Sequence, residues 1–140
     1  MAKSPQLKTK KTMKPLELRL DNYVANEHGF AMYIVDLARD MVYLDFIGNE
    51  GDIWECETKD LKPLPINEYP NVLIELGFSY DKDRDIHINL DEDKCIIYLK
   101  KSKDGMYDVF SGEVHGRVQY IHELQNFVFD NLDIELLENK

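Results

Sequence analysis

The sequence predicts an α+β fold, and three observations carry that assignment. Val118, Ile121, Leu124, Val128 and Leu132 recur at three- and four-residue steps, the spacing of one helix face. Short apolar–polar alternations separated by turn residues fill the first third of the chain, as half-buried strands do. A proline-bearing stretch, Lys62, Pro63, Leu64 and Pro65, then divides these from a second set of alternations. The architecture expected is an N-terminal curled antiparallel sheet or small open barrel, a short central helix, a three-stranded meander, and a C-terminal helix packed on a sheet. Residues 1–15 are expected as a flexible basic arm and residues 16–140 as a single domain.

Taken in order, residues 1–15 lack any period and contain two prolines. Leu16, Leu18 and Leu20 alternate with Glu17 and Arg19, which predicts a first strand, and Asp21–Asn22 supplies turn chemistry before Tyr23 and Val24. Gly29 ends a turn from Asn26. Residues 30–35 and 41–47 read as strands with a break at 37–40. Residues 48–51 form a turn, and 53–57 alternate with Trp54 and Cys56 on one face. Asn67 is a candidate N-cap for a short helix with Pro70 in its first turn and Gly77 as its stop. Its buried face is Tyr69, Val72, Leu73 and Leu76. Ile86, Ile88 and Leu90 predict a strand, 91–93 a turn and 95–99 its return. Residues 107–110 are a third strand, and Gly112 and Gly116 loosen the chain before the helix over 118–132. That helix is the element long and periodic enough to organise the packing, with Tyr120 and Phe127 widening its stripe.

A chain of 140 residues can bury roughly two-thirds of its unfolded surface, enough for a sizeable core. No apolar run approaches the ~20 residues that span a bilayer, and no apolar segment follows the basic N-terminus as in a secretory signal. Cys56 and Cys95 lack metal-site spacing and are expected as free thiols in a reducing cytoplasm.

Charge is more informative. Lys3, Lys8, Lys10, Lys11 and Lys14 occupy the arm with no acid among them, and the remainder carries 12 basic and 27 acidic residues. A body of that sign repels phosphate backbones and is drawn to basic protein surfaces.

The sharpest motif runs from Asp81 to Glu92. Acids at its first, third and fifth positions (Asp81, Asp83 and Asp85) and Glu92 at its twelfth match a calcium loop. Ile86 stands where that loop needs glycine, and the flanks read as strands, so a solvated acidic hairpin is the better account. His115 and His122 have no third ligand at a zinc spacing, and His122 is expected on the helix surface or in an interface. No phosphate loop or nucleophile elbow occurs, so no enzyme, cofactor or metal site is expected. Tyr23, Tyr33, Tyr43 and Phe46 could stack single-stranded bases, but without basic neighbours core packing is the expectation.

Three segments carry a resemblance. Residues 18–24 (LRLDNYV) are similar to an LRIGNYV opening. Residues 62–66 followed by Leu73 and by 76–78 are similar to a PIPLTEEWLLKFGF centre, and residues 118–127 to a VKYVHQLQNLYF close. Together they resemble a family of small, functionally uncharacterised proteins of Bacteroidetes phages, prophages and other mobile elements, over residues 16–136. The stretch 67–77 is about two residues longer than the family form, and Asn67 replaces its threonine cap. The family supplies no catalytic residues.

The resemblance implies a cytoplasmic protein expressed in a bacterial host. Joined to the charge, it leads to a non-enzymatic protein that binds a host protein with a basic surface. The sharpest form is an anti-defence inhibitor of a CRISPR (type VI) effector nuclease. Asp81, Asp83, Asp85, Asp91, Glu92 and Asp93 are the candidate partner-binding residues. The alternative is a nucleic-acid-binding accessory protein using Lys3, Lys8, Lys10, Lys11 and Lys14.

Overall fold

The structure, a computed structural model, describes residues 18–47, 50–90 and 96–136. The fold is α+β, with two antiparallel sheets of four and five strands, a short helix and a C-terminal helix. The chain divides between Leu64 and Pro65 into two compact units. The basic arm lies outside the described residues.

In the first unit, strands β1 (Tyr23–Ala25), β2 (Ala31–Leu37), β3 (Met41–Phe46) and β4 (Trp54–Glu57) pair in sequence order. The alternation expected for residues 16–20 does not form a strand over Leu18, Arg19 and Leu20. The Asn22 side chain accepts from the Arg19 N–H at 2.7 Å and Asp21 takes a φ of 70°, so the chain is already turning there. Pairing begins at Tyr23. The register sends Val24, Met32, Ile34, Leu44, Val42 and Cys56 to one face, where they enclose a core with Leu18 and Leu61. Phe46 and Trp54 close it at the rim.

The sheet curls on itself. After β4 a 3-10 turn (Thr58–Asp60) redirects the chain, and Lys62 exchanges backbone hydrogen bonds of 2.8 and 2.9 Å with Ala25 of β1. Pro63, the next residue, has no ladder donor, and the pairing stays a single bridge.

The second unit opens with a 3-10 turn (Ile66–Glu68) and helix α1 (Pro70–Glu75). Pro70 starts this helix at a position that needs no N–H, and Tyr69, not Asn67, is its N-cap. Gly77, at φ 96°, ends it by donating to the Ile74 carbonyl at 3.0 Å. Five strands follow as a meander: β5 (Phe78–Asp81), β6 (Ile86–Leu90), β7 (Ile96–Lys101), β8 (Tyr107–Ser111) and β9 (Val114–Val118). Three were expected. The additions are the outer strands β5 and β9, each with too few alternating apolar residues to stand out from its turns.

Helix α2 (Ile121–Leu132) begins three residues later than its periodicity suggests, because Val118 is paired to Tyr107 in the sheet. Glu123 reaches back to accept from the N–H groups of Gln119 and Tyr120 at 2.9 and 3.1 Å, half of a capping box. Ile121, Leu124 and Val128 are buried at helical spacing, as read from the sequence, and His122 and Gln125 are buried with them, whereas Leu132 is only half-buried. The Phe127 ring lies directly on Gly116 of β9; a Cβ at Gly116 would meet it at 2.3 Å. Gly116 therefore permits close helix–sheet contact and does not loosen the chain. Beyond the helix, Ile134 and Leu136 are buried, and the Gln125 side chain holds the Leu136 carbonyl at 3.1 Å.

Candidate functional site

Of the acids singled out in the sequence, three lie among the described residues. Asp81 ends β5, and Asp83 and Asp85 lie in the turn to β6. Strand β6 follows over five residues, Ile86–Leu90. Asp91, Glu92 and Asp93 lie outside the described residues, as do Lys3, Lys8, Lys10, Lys11 and Lys14.

The Asp81 carboxylate is occupied by its own turn. It accepts from the Asp83 N–H at 3.1 Å, the Arg84 N–H at 3.3 Å and the Arg84 Nε at 2.8 Å. The Arg84 guanidinium, first among these, holds it below the usual carboxylate range. Asp85 takes a φ of 54° and accepts the Tyr80 hydroxyl, which pushes the phenol pKa up. The Tyr80 ring also packs against His87, tilted by 44° with centroids 4.9 Å apart, and burial lowers the His87 pKa. Two of the three carboxylates are thus tied to neighbours within a strand-flanked turn. Among the described residues, no three His, Cys, Asp or Glu side chains converge as metal ligands.

Three groups of aromatic residues lie on or beside the sheet surfaces, although Tyr23 in the first of them is buried. Tyr23 and Tyr33 are register partners with rings 6.3 Å apart, and Tyr43 shares their side of the sheet, whereas Phe46 faces the core beside Met32. The four residues considered as one stacking face are split between two faces, a consequence of the two-residue period of a strand. On the five-stranded sheet, Ile88, Tyr98, Phe110 and His115 form a row across β6 to β9, with Tyr98 and Phe110 stacked at 5.2 Å. The next row pairs Asp108 with Arg117 at 3.2 Å.

The third group surrounds the turn between β1 and β2. The buried Asn26 side chain builds that turn by accepting from the N–H groups of His28 and Phe30 at 2.9 and 3.0 Å. Gly29 supplies the positive φ, 84°, that the reversal needs. The turn displays His28 and Phe30, the latter 55% exposed. Trp54 of β4 meets it from the far side of the curl, its indole N–H donating to Glu27 Oε1 at 2.8 Å. Its ring stands edge-on to His28 at 5.7 Å and to Phe46 at 6.4 Å.

Glu27 is held below the ordinary carboxylate range by its own backbone N–H, by the indole and by His28. The Cys56 thiol behind Trp54 is pushed up to about 11 by burial and by the Glu27 and Asp60 carboxylates, so it is neutral and unreactive at neutral pH. Sequence reasoning found Trp54 and the Asn26 turn separately but not their meeting, since nothing local links residue 27 to residue 54.

His122 is completely buried in α2 and stacks with Tyr120 at 6.0 Å; it is not on the helix surface. No helix among the described residues is long and apolar enough to cross a membrane. Comparison with family models, with curated proteins and with solved structures returned no match.

Proposed function

We propose that this chain is a non-enzymatic, protein-binding module of a phage or mobile element, acting in the bacterial cytoplasm. It binds a basic, nucleic-acid-binding host enzyme and blocks the surface that the nucleic acid uses. Its sharpest form is an inhibitor of a type VI CRISPR effector nuclease. The observation that carries the reading is charge: 12 basic against 27 acidic residues beyond the arm. Such a field speeds encounter with a cationic groove and repels the phosphates that compete for it.

The test is RNA cleavage by a purified type VI effector, titrated with this protein at several salt concentrations. Dose-dependent inhibition that weakens as salt rises is the expected result. The type VI form is refuted by cleavage that is unaffected at every salt concentration. The broader reading fails if, in addition, nuclease-treated host lysate yields no basic nucleic-acid-binding protein on the immobilised chain.

A second reading, an accessory protein that holds nucleic acid through Lys3, Lys8, Lys10, Lys11 and Lys14, is favoured by the absence of any acid in residues 1–15. Removing those residues then abolishes binding to DNA or RNA; retained binding excludes it.

A further inference from the structure

We propose that the patch formed by His28, Phe30 and Trp54 beside Glu27 is a docking point for an arginine side chain of a basic partner protein. The inference rests on the protein-binding reading above and names the surface that does the binding.

Three features converge. The first is exposed aromatic surface on a rigid support. Phe30 is more than half exposed, and two hydrogen bonds to the buried Asn26 side chain fix the turn that presents it. An aromatic anchor already held in position loses little freedom on binding, which is what makes such residues dominate interfaces.

The second is a carboxylate within the same cluster. Glu27 is ionised and bonded to the indole at 2.8 Å. A carboxylate has about four acceptor positions, so the indole, its own backbone N–H and the neighbouring Cys56 thiol leave room for a further donor. Arginine suits this pairing of ring and carboxylate better than lysine, because its planar guanidinium stacks on aromatic faces and donates sideways at once.

The third is charge complementarity. Residues 18–64 hold ten acidic and four basic side chains, and five of the acids (Glu50, Asp52, Glu55, Glu57 and Asp60) fall within eleven residues around Trp54. Lys62 Nζ reaches the Glu27 carbonyl at 3.4 Å, so an ammonium of the chain itself already lies at the rim, on backbone rather than on the carboxylate.

Trp54 is the single tryptophan of the chain, so its emission reports on the patch directly. The intact protein is titrated with a nona-arginine peptide, with nona-lysine and nona-glutamate as comparisons. Saturable change in emission is expected, tighter for arginine than for lysine and absent for glutamate. Phe30→Ala and Glu27→Gln each weaken it by about three- to tenfold. Asp83→Asn removes the same charge from the other unit and leaves it unchanged. Circular dichroism establishes that each variant is folded.

Equal affinity for wild type and Phe30→Ala overturns the proposal. So does an Asp83→Asn effect as large as that of Glu27→Gln, which marks binding by net charge alone. If Phe30→Ala still inhibits the host enzyme as wild type does, the patch is wrong and the module reading stands. If neither peptide nor host enzyme binds, both fail.

Discussion

Replacing Gly116 by alanine tests how α2 is seated on the five-stranded sheet. The added Cβ would lie 2.3, 2.8 and 2.9 Å from three atoms of the Phe127 ring, where carbon atoms ordinarily approach to about 3.5–4.0 Å. The ring must therefore retreat by more than about 1 Å, and it is a flat, stiff group that moves only with its helix or by leaving its rotamer. Overpacking of this kind costs about 1–3 kcal/mol. Against it stands the gain from removing a glycine inside a strand, about 0.5–1 kcal/mol, because Gly116 has no positive φ that alanine would strain.

The net expectation for Gly116→Ala is destabilisation by about 1–2 kcal/mol. In a Phe127→Ala background the clash is gone and only the backbone gain remains. The same substitution then stabilises by about 0.5 kcal/mol or more, a reversal of sign. Thermal unfolding of the four proteins of this cycle, followed by far-UV circular dichroism, measures both values. Equal effects of Gly116→Ala in the two backgrounds refute the contact.

Two further outcomes follow from the geometry. Gly77→Ala is expected to cost about 1–2 kcal/mol in urea denaturation: φ is 96°, and the Cβ would press at 3.0 Å on Asn89 Nδ2, which holds the Leu76 carbonyl. A neutral Gly77→Ala excludes that helix stop. Because folding raises the Cys56 pKa from about 9.0 to about 11, the native state favours the neutral thiol. The stability this contributes is complete below pH ~9 and disappears as pH rises toward ~11. Over that window wild type should lose more stability than Cys56→Ala, in denaturation curves taken at each pH; parallel losses contradict the assignment.

The elements that were legible in the sequence are those whose signal is local. Ile121, Leu124 and Val128 keep helical steps because they lie on the buried face of α2. The alternation from Ile86 to Leu90 located strand β6 but not its buried face: Leu90 is exposed, and Asn89, opposite Ile97, is buried. Turn chemistry at Asn26, Gly29 and Gly77 was equally readable, since few residues accept those backbone angles. The alternation misled at Leu18 to Leu20 because alternation alone does not secure a pairing partner. The Asn22 side chain claimed a backbone donor that a strand there needed. Strand β9 was hidden because Gly116 reads locally as a breaker, and its reason is a ring eleven residues further on.

The sequence by itself determined the α+β class, the positions of most elements and the acidic character of the body, all of which depend on periodicity and composition. Tertiary structure decided that Asp81 is spent on Arg84, that Tyr33 and Phe46 face opposite ways, and that Trp54 meets Glu27 across a curled sheet. Those outcomes depend on strand register, curl and which side chain reaches a polar group first. A one-residue change in register reverses a face without altering the local pattern, so the pattern cannot specify them.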